Sequence, residues 1–191
     1  MENVQILLRQ HVGAPCAAIV KAGDEVKKGT KIATPTGLGA NIFSSVYGVV
    51  EEVLEDRIII KPDEEQKEEF VPIEVEDEND KLAMVKEAGI VGMGGAGFPT
   101  GIKLGINLAE TETAELDPEI NPELPADFKL EHSYILINAA ECEPGLEHNI
   151  RQIEEQCDKV VRGVKYCMEI THADKAIFAI KKKNDKAIEI L

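Results

Sequence analysis

Residues 61–80 (KPDEEQKEEFVPIEVEDEND) are acidic and hold few apolar side chains outside Phe70–Val75. Such a stretch buries too little surface to fold alone, and the hydrophobic pattern differs on its two sides. Before it, short apolar runs alternate with glycine turns; after it, apolar residues recur every three or four positions. A chain with two periods is neither one regular sheet nor one helical bundle. The sequence therefore predicts a small all-β domain over 1–75, ending in a solvated linker with a short strand at Phe70–Val75. An incomplete α/β domain over 76–191 follows. The length of 191 residues accommodates two such domains.

In the first part, Val20–Thr34 (VKAGDEVKKGTKIAT) places turn signals at Gly23-Asp24 and Lys28-Gly29 between alternating apolar positions. Further strands are expected within Ala40–Val53 and at Arg57–Ile60, with no helix longer than two turns between Val20 and Ile60. This is the pattern of a small sandwich or barrel.

In the second part, Asp80 is placed to cap a short helix over Asp80–Ala88. The stretch 105–131 carries Pro118, Pro122 and Pro125 and seven acids between 110 and 127, and reads as a surface insertion. Tyr134–Ala139 reads as a buried strand. Asn149–Thr171 reads as a helix with Ile150, Ile153, Cys157, Val160, Val164 and Cys167 on one face. A strand at Lys175–Ile180 and a helix from Asp185 follow. Strand, helix, strand, helix in that order implies parallel strands. The last helix is cut by the chain end, the expectation for part of a longer protein.

Charge narrows the partners. Asp and Glu number 36 against 21 Lys and Arg, a net −15, which repels phosphate backbones and anionic headgroups and argues against nucleic acid. No apolar run reaches the ~20 residues of a membrane span, and MENVQILLRQH lacks the form of a signal peptide. A cytoplasmic protein without direct membrane insertion is expected. None of Cys16, Cys142, Cys157 and Cys167 forms a C-x-x-C pair, so no metal site is expected. Cys157 and Cys167 read as core thiols, and Cys142, between two acids, as a thiol of raised pKa. The four histidines show no metal spacing, although His148 lies near the second motif below. Lys181–Lys183 reads as a solvated strand end, and no catalytic triad can be assembled.

Two motifs carry ligand chemistry. Gly92-Met-Gly-Gly-Ala-Gly-Phe-Pro-Thr-Gly101 holds five glycines in ten residues, letting backbone N–H groups approach an anion closely. Thr100–Lys103 is expected to open a helix, adding a positive dipole end and an ammonium. A tight structural turn is the alternative reading. Asn138-Ala-Ala-Glu-Cys-Glu-Pro-Gly145 follows a strand directly, where ligands sit in α/β sheets. Its carboxylates suit the hydroxyls of a ribose, although Glu143-Pro-Gly could serve only as a turn.

Over residues 15–60, V-x-x-G-D-x-V-x-x-G and S-S-V-Y-G-V-V resemble the barrel-sandwich domains of biotin and lipoyl carriers. Pro35–Phe43 (PTGLGANIF) holds no lysine to modify, so the resemblance implies an unmodified scaffold. G-G-A-G-F-P-T-G-x-K followed by N-A-x-E-x-E-P-G resembles the NADH-oxidising flavoprotein subunits: the 51-kDa subunit of respiratory complex I and the C subunit of the Rnf electron-transport complex. Leu8–Pro15 (LRQHVGAP) with the barrel segment points to the Rnf branch. Cys16 and the L-G-A-N-I-x-S-S-V-Y-G run are similar to the proline-reductase-associated electron-transfer protein of anaerobic bacteria.

The resemblance implies an N-terminal portion of such a subunit, its α/β domain Rossmann-like in the manner of the 51-kDa subunit. It would bind FMN and NADH within an NADH-dependent oxidoreductase and pass electrons toward iron–sulfur clusters or a partner reductase. The 4Fe–4S clusters are expected beyond residue 191. Other members of the complex are expected as partners that would hold it peripherally at the inner membrane face. By residue, Gly92, Gly94, Gly95 and Gly97 would cradle the FMN phosphate and flank the ring, and Lys103 would neutralise the phosphate. Phe98 would stack near a ring of NADH, Asn138 would contact the flavin, and Glu141 and Glu143 would bond flavin or NADH hydroxyls. The two loops are expected to face one cleft. Met93 stands where the 51-kDa subunit has arginine, and Ala140 where it has aspartate. Each loses a polar contact, which keeps open a structural or docking module with a decayed site. A carrier role is the third reading, and an intact-mass spectrum decides it: the expected mass is that of the bare chain, with no biotinyl or lipoyl adduct.

Overall fold

The computed structural model describes residues 2–93, 95–109, 132–141, 143 and 145–191. Packing divides the chain after Gly105, into one compact unit up to that residue and a second from Ile106 to Leu191.

The first unit is built on seven short strands: β1 (Val4–Leu7), β2 (Cys16–Ala18), β3 (Glu25–Val26), β4 (Lys31–Pro35), β5 (Ile42–Phe43), β6 (Gly48–Val53) and β7 (Arg57–Pro62). They form a four-stranded sheet, β1-β7-β6-β3, and a three-stranded sheet, β2-β4-β5, with every pair antiparallel. Alternate residues turn inward, so Ile58 and Ile60 of β7 join Ile6, Val26, Ile32, Ile42 and Val50 in one core drawn from both sheets. No helix occurs between Val20 and Ile60. Gly23 and Gly29 take φ of +92° and +87°, angles at which a side chain would be strained. The turns they make are each tied to a neighbouring strand of the same sheet, Gly23 N–H to Val50 O beside the β3–β6 pair and Gly29 N–H to Ser44 O beside the β4–β5 pair, both at 2.8 Å. Thus V-x-x-G-D-x-V-x-x-G is an arrangement of turns, not of ligands.

Residues 63–80 form no strand, contrary to the expectation at Phe70–Val75. The segment is held by side chains and single backbone bonds instead. Gln66 Oε1 accepts from Tyr47 N–H, Tyr47 Oη donates to Glu69 O, and Val71 N–H bonds Lys28 O at 2.8 Å. Beyond it α1 (Lys81–Glu87) begins where expected, with the Asp80 carboxylate accepting from Ala83 N–H at 2.8 Å. Its end is fastened to the barrel: Glu87 pairs with Lys31, and Asn41 donates to Glu87 O. Next comes α2 (Thr100–Lys103), a single turn.

In the second unit the parallel strands β8 (Tyr134–Asn138) and β9 (Lys175–Ala179) are joined through α3 (His148–Thr171), and α4 (Asp185–Ile190) follows. Among the described residues this is a βαβ unit with one further helix, which by itself does not make a Rossmann sheet. The α3 face is as the periodicity requires, with Ile150 and Ile153 buried against Ala139 and Ala187, although Gln156 leaves helical angles and kinks the helix. Burial desolvates the Cys167 thiol and pushes its pKa up. Asp174 accepts from both the N–H and the hydroxyl of Ser133, stapling the strand starts together. The expected buried strand is corrected: β8 is half-buried at Ile135 and Ile137 and exposed on its other face. Tyr134, Leu136 (67 % exposed) and Ile177 lie on the open face. The 110–131 insertion lies outside the described residues.

Close approach at Gly48 offers a test of the sandwich. A Cβ there would stand 2.3 Å from Lys61 O and 2.9 Å from Pro62 Cα, so Gly48→Ala must push β6 from β7. Urea unfolding followed by circular dichroism should show a loss of about 1–3 kcal/mol, whereas Gly95→Ala, facing open space, should cost far less.

Candidate functional site

The proposed ligand residues fall into two sets, one in each unit. In the first unit, Val91 and Pro99 form an isolated antiparallel bridge. Gly92 N–H donates to Phe98 O and Thr100 N–H to Ile90 O, which closes residues 91–99 into a small loop. The amides of Gly95, Ala96 and Gly97 make no backbone bond among the described residues. Gly97 sits at φ +67°, and a Cβ on Gly95 would meet nothing within 4 Å. The loop thus presents open backbone at Gly95 and Ala96, as an anion cradle must, while Gly97 is buried. Gly94 lies outside the described residues. Phe98 is partly exposed, and the Lys103 ammonium stands 5.8 Å from the centre of its ring, within cation–π range. The expected helix after Pro99 shrinks to the one turn of α2, too short for aligned peptide dipoles to count. Buried Gly101 packs against Lys86 there, leaving a Cβ only 2.5 Å from Lys86 Cγ. Positive character at this loop therefore comes from Lys103 and the loop amides, not from a helix dipole. Met93, at the loop tip, is 96 % exposed.

In the second unit, Asn138 ends β8 and its Oδ1 accepts from Ala140 N–H at 3.1 Å, a local turn of the Asx kind. Glu141 is only 8 % exposed. Its Oε1 accepts from Asn149 N–H at 2.6 Å, and Oε2 lies 3.6 Å from His148 Nδ1. The Glu141 carboxylate therefore satisfies a free donor at the start of α3, where the formal cap residue Glu147 makes no side-chain bond. It is a buried helix cap, which positions the loop more than it reaches out. Cys142 and Pro144 lie outside the described residues, including the expected raised thiol pKa.

Glu143 borders a cavity of about 210 Å³ that Glu141, Glu147, Lys181, Lys183 and Asn184 also line. It lies at the carboxyl ends of β8 and β9, the edge where parallel sheets bind ligands. Lys181 and Lys183 are exposed, and neither makes an ion pair among the described residues. By sequence they are a solvated strand end; the structure sets them beside Glu143. The available signal is their place directly after β9, because parallel strands bring both carboxyl ends to one edge. A second cavity, of about 380 Å³, lies in the first unit between Pro35–Asn41 and α1, walled by Val85, Ile90, Pro99 and Ile102. The glycines 92, 95 and 97 do not line it.

No cluster of three metal-ligating side chains occurs among the described residues, nor any helix long and apolar enough to cross a membrane.

Comparison with known proteins accounts for both units. The family model described as the RnfC barrel-sandwich hybrid domain matches residues 1–78, and the Nuo51 FMN-binding domain matches 85–191. The whole chain is 36% identical to the C subunit of the proton-translocating ferredoxin:NAD(+) oxidoreductase complex of Clostridium ljungdahlii, covering 40% of that protein. It is 33% identical to the C subunit of the Na(+)-translocating ferredoxin:NAD(+) oxidoreductase complex of Acetobacterium woodii, covering 42%. Over 98% of its length it is 30% identical to the C subunit of the ion-translocating oxidoreductase complex of Rhodobacter capsulatus, covering 36%. The chain thus spans about two-fifths of the relatives it matches. With an RnfC barrel-sandwich domain leading into a Nuo51-type FMN-binding domain, the chain belongs to the RnfC family as an N-terminal portion.

Proposed function

We propose that this chain is the flavin- and nucleotide-binding portion of an electron-transfer subunit working between NAD(H) and one-electron carriers. The observation that carries the reading is the glycine loop, where exposed backbone at Gly95 and Ala96 leads into Phe98, with the Lys103 ammonium over its ring. These residues fit FMN. The amides of Gly95–Gly97 and the Lys103 ammonium would hold its phosphate, and Phe98 offers an exposed ring face. FMN, when bound, supplies exchange between two-electron hydride chemistry and one-electron transfer. The chain's own residues bind and orient. In the second unit Glu143 would accept from ligand hydroxyls, and Lys181 and Lys183, which line the same cavity, would meet nucleotide phosphates. Glu141 holds that loop against α3.

The names of the relatives support ferredoxin:NAD(+) oxidoreductase chemistry in a complex of several subunits. On this reading the 4Fe–4S clusters lie in sequence outside residues 1–191, and partner subunits hold a cytoplasmic protein at the membrane. A proline-reductase partner is the narrower proposal, resting on Cys16 and the L-G-A-N-I-x-S-S-V-Y-G run. The second reading, a docking module without flavin, is favoured by Met93, an uncharged and solvent-exposed side chain at the loop tip. Flavin absorbance of the purified full-length protein separates the two.

Titration of full-length apoprotein with FMN tests the loop. A charge-assisted hydrogen bond is worth ~1.5–3 kcal/mol, so Lys103→Ala should weaken binding by about tenfold or more. Lys181→Ala should leave FMN affinity nearly unchanged. Equal losses in both variants mean nonspecific attraction, and no loss in either removes Lys103 from the site. In the same protein, replacing Lys181 and Lys183 together by Ala should weaken NADH binding by about tenfold, again the scale of one charge-assisted contact. Unchanged NADH affinity removes the second unit's cavity from nucleotide binding.

A further inference from the structure

The leader Leu8–Pro15 and Cys16 contain a buried His–Cys pair that flavin chemistry does not use. His11 is 6 % exposed and Cys16 4 %. His11 Nε2 lies 3.2 Å from Ala40 N and accepts its N–H; Nδ1 lies 3.1 Å from Val12 O. An acceptor at Nε2 places the ring proton on Nδ1, where it donates to that carbonyl. The Cys16 thiol donates to Ala40 O at 3.2 Å, with its sulfur 3.4 Å from His11 Nε2. Both backbone groups of buried Ala40 are thereby satisfied by the leader.

The next residue of the leader grips the glycine loop, since Val12 N–H donates to Ala96 O at 2.8 Å. The approach is tight on both sides. A Cβ on Gly97 would stand 3.1 Å from Gln10 O and 3.2 Å from His11 Cα, and one on Gly39 would stand 2.7 Å from His11 Cε1. The ring faces the hairpin around Ala40, and the backbone beside it faces the loop.

We propose that His11 is a positioning residue: through Ala40 on one side and the Val12–Ala96 bond on the other, it sets where the glycine loop stands. The proposal rests on the loop being the phosphate-binding element of the preceding reading. It adds that loop position is dictated by the barrel.

Two substitutions in the full-length protein test it. His11→Gln can put an amide oxygen near the place of Nε2 and keep the bond from Ala40. His11→Asn reaches only as far as Nδ1, so it can serve Val12 O but loses Ala40. In the Asn variant, losing a buried hydrogen bond should raise the FMN dissociation constant and the exchange rate of the Val12 amide by about tenfold. The Ile58 and Ile60 amides of β7 should keep their protection. His11→Gln should return both readouts close to the parent protein. Parental values in the Asn variant overturn the proposal. So does equal failure of Asn and Gln, or loss of Val12 and β7 protection together, which would make His11 a part of the core and nothing more. Should the parent protein bind no FMN, the flavin reading of the loop fails, while exchange at Val12 still decides the tether.

Discussion

The first unit depends on one crossing of backbone. The leader, residues 10–16, runs between the Gly37–Ala40 hairpin and the glycine loop, and small residues clear its path. Gly13 takes φ +106° with Leu38 O only 2.2 Å from where a Cβ would be. Ala14 N–H bonds Leu38 O, and Val12 N–H bonds Ala96 O. A third fastening joins α1 to the barrel, through Glu87 with Lys31 and Asn41. The loop proposed to hold the phosphate is therefore anchored by contacts from both ends of the unit's sequence. Loops held this way keep their open backbone without collapsing onto it, which is what pre-organised binding requires.

Much of this fold is legible in the sequence because its causes are local. Glycine followed by Asp or preceded by Lys marks the turns at 23 and 29, the Asp80 cap is a short-range bond, and the α3 face follows from a spacing of three and four. What stays hidden depends on partners distant in sequence. An apolar run such as Tyr134–Ala139 reads the same whether a strand is covered on one face or two; only the placement of α3 leaves Leu136 outside. The 70–75 segment has strand-like residues but finds no neighbouring ladder, so the bond from Val71 N–H to Lys28 O holds it, with Tyr47 bonding Glu69 just before it. The packing of Gly101 of α2 on Lys86 is another contact that no local pattern records.

The site is legible by residue type and less so by role. The structure sets Lys103 over the Phe98 ring at the end of the glycine loop. Glu141 looks like a ligand because it follows a strand, yet its carboxylate is taken by Asn149 N–H, eight positions on. Caps are read from a residue beside the helix start, and this one arrives from across a loop. Lys181 and Lys183 escape notice for the converse reason: charge at a strand end looks like solvation until the neighbouring strand end brings Glu143 to it.

The leader's middle position has a consequence for the order in which the chain assembles. β1 pairs with β7, so Val4 waits for Ile60 before its ladder forms. The leader that follows waits longer, since Val12 is bonded only when Ala96 exists. Closing such long loops delays contact formation, and barrels of non-local pairs fold slowly. The sandwich core is complete by Ile60, so the natural sequence of events is core first and latch last. During synthesis His11, Ala14 and Cys16 can already bond residues 38–40, while the Val12 amide stays without Ala96 until the glycine loop leaves the ribosome. The ligand loop would then be the final piece to lock, and a chain stalled before residue 96 would carry a folded barrel with its first strands paired and its latch open.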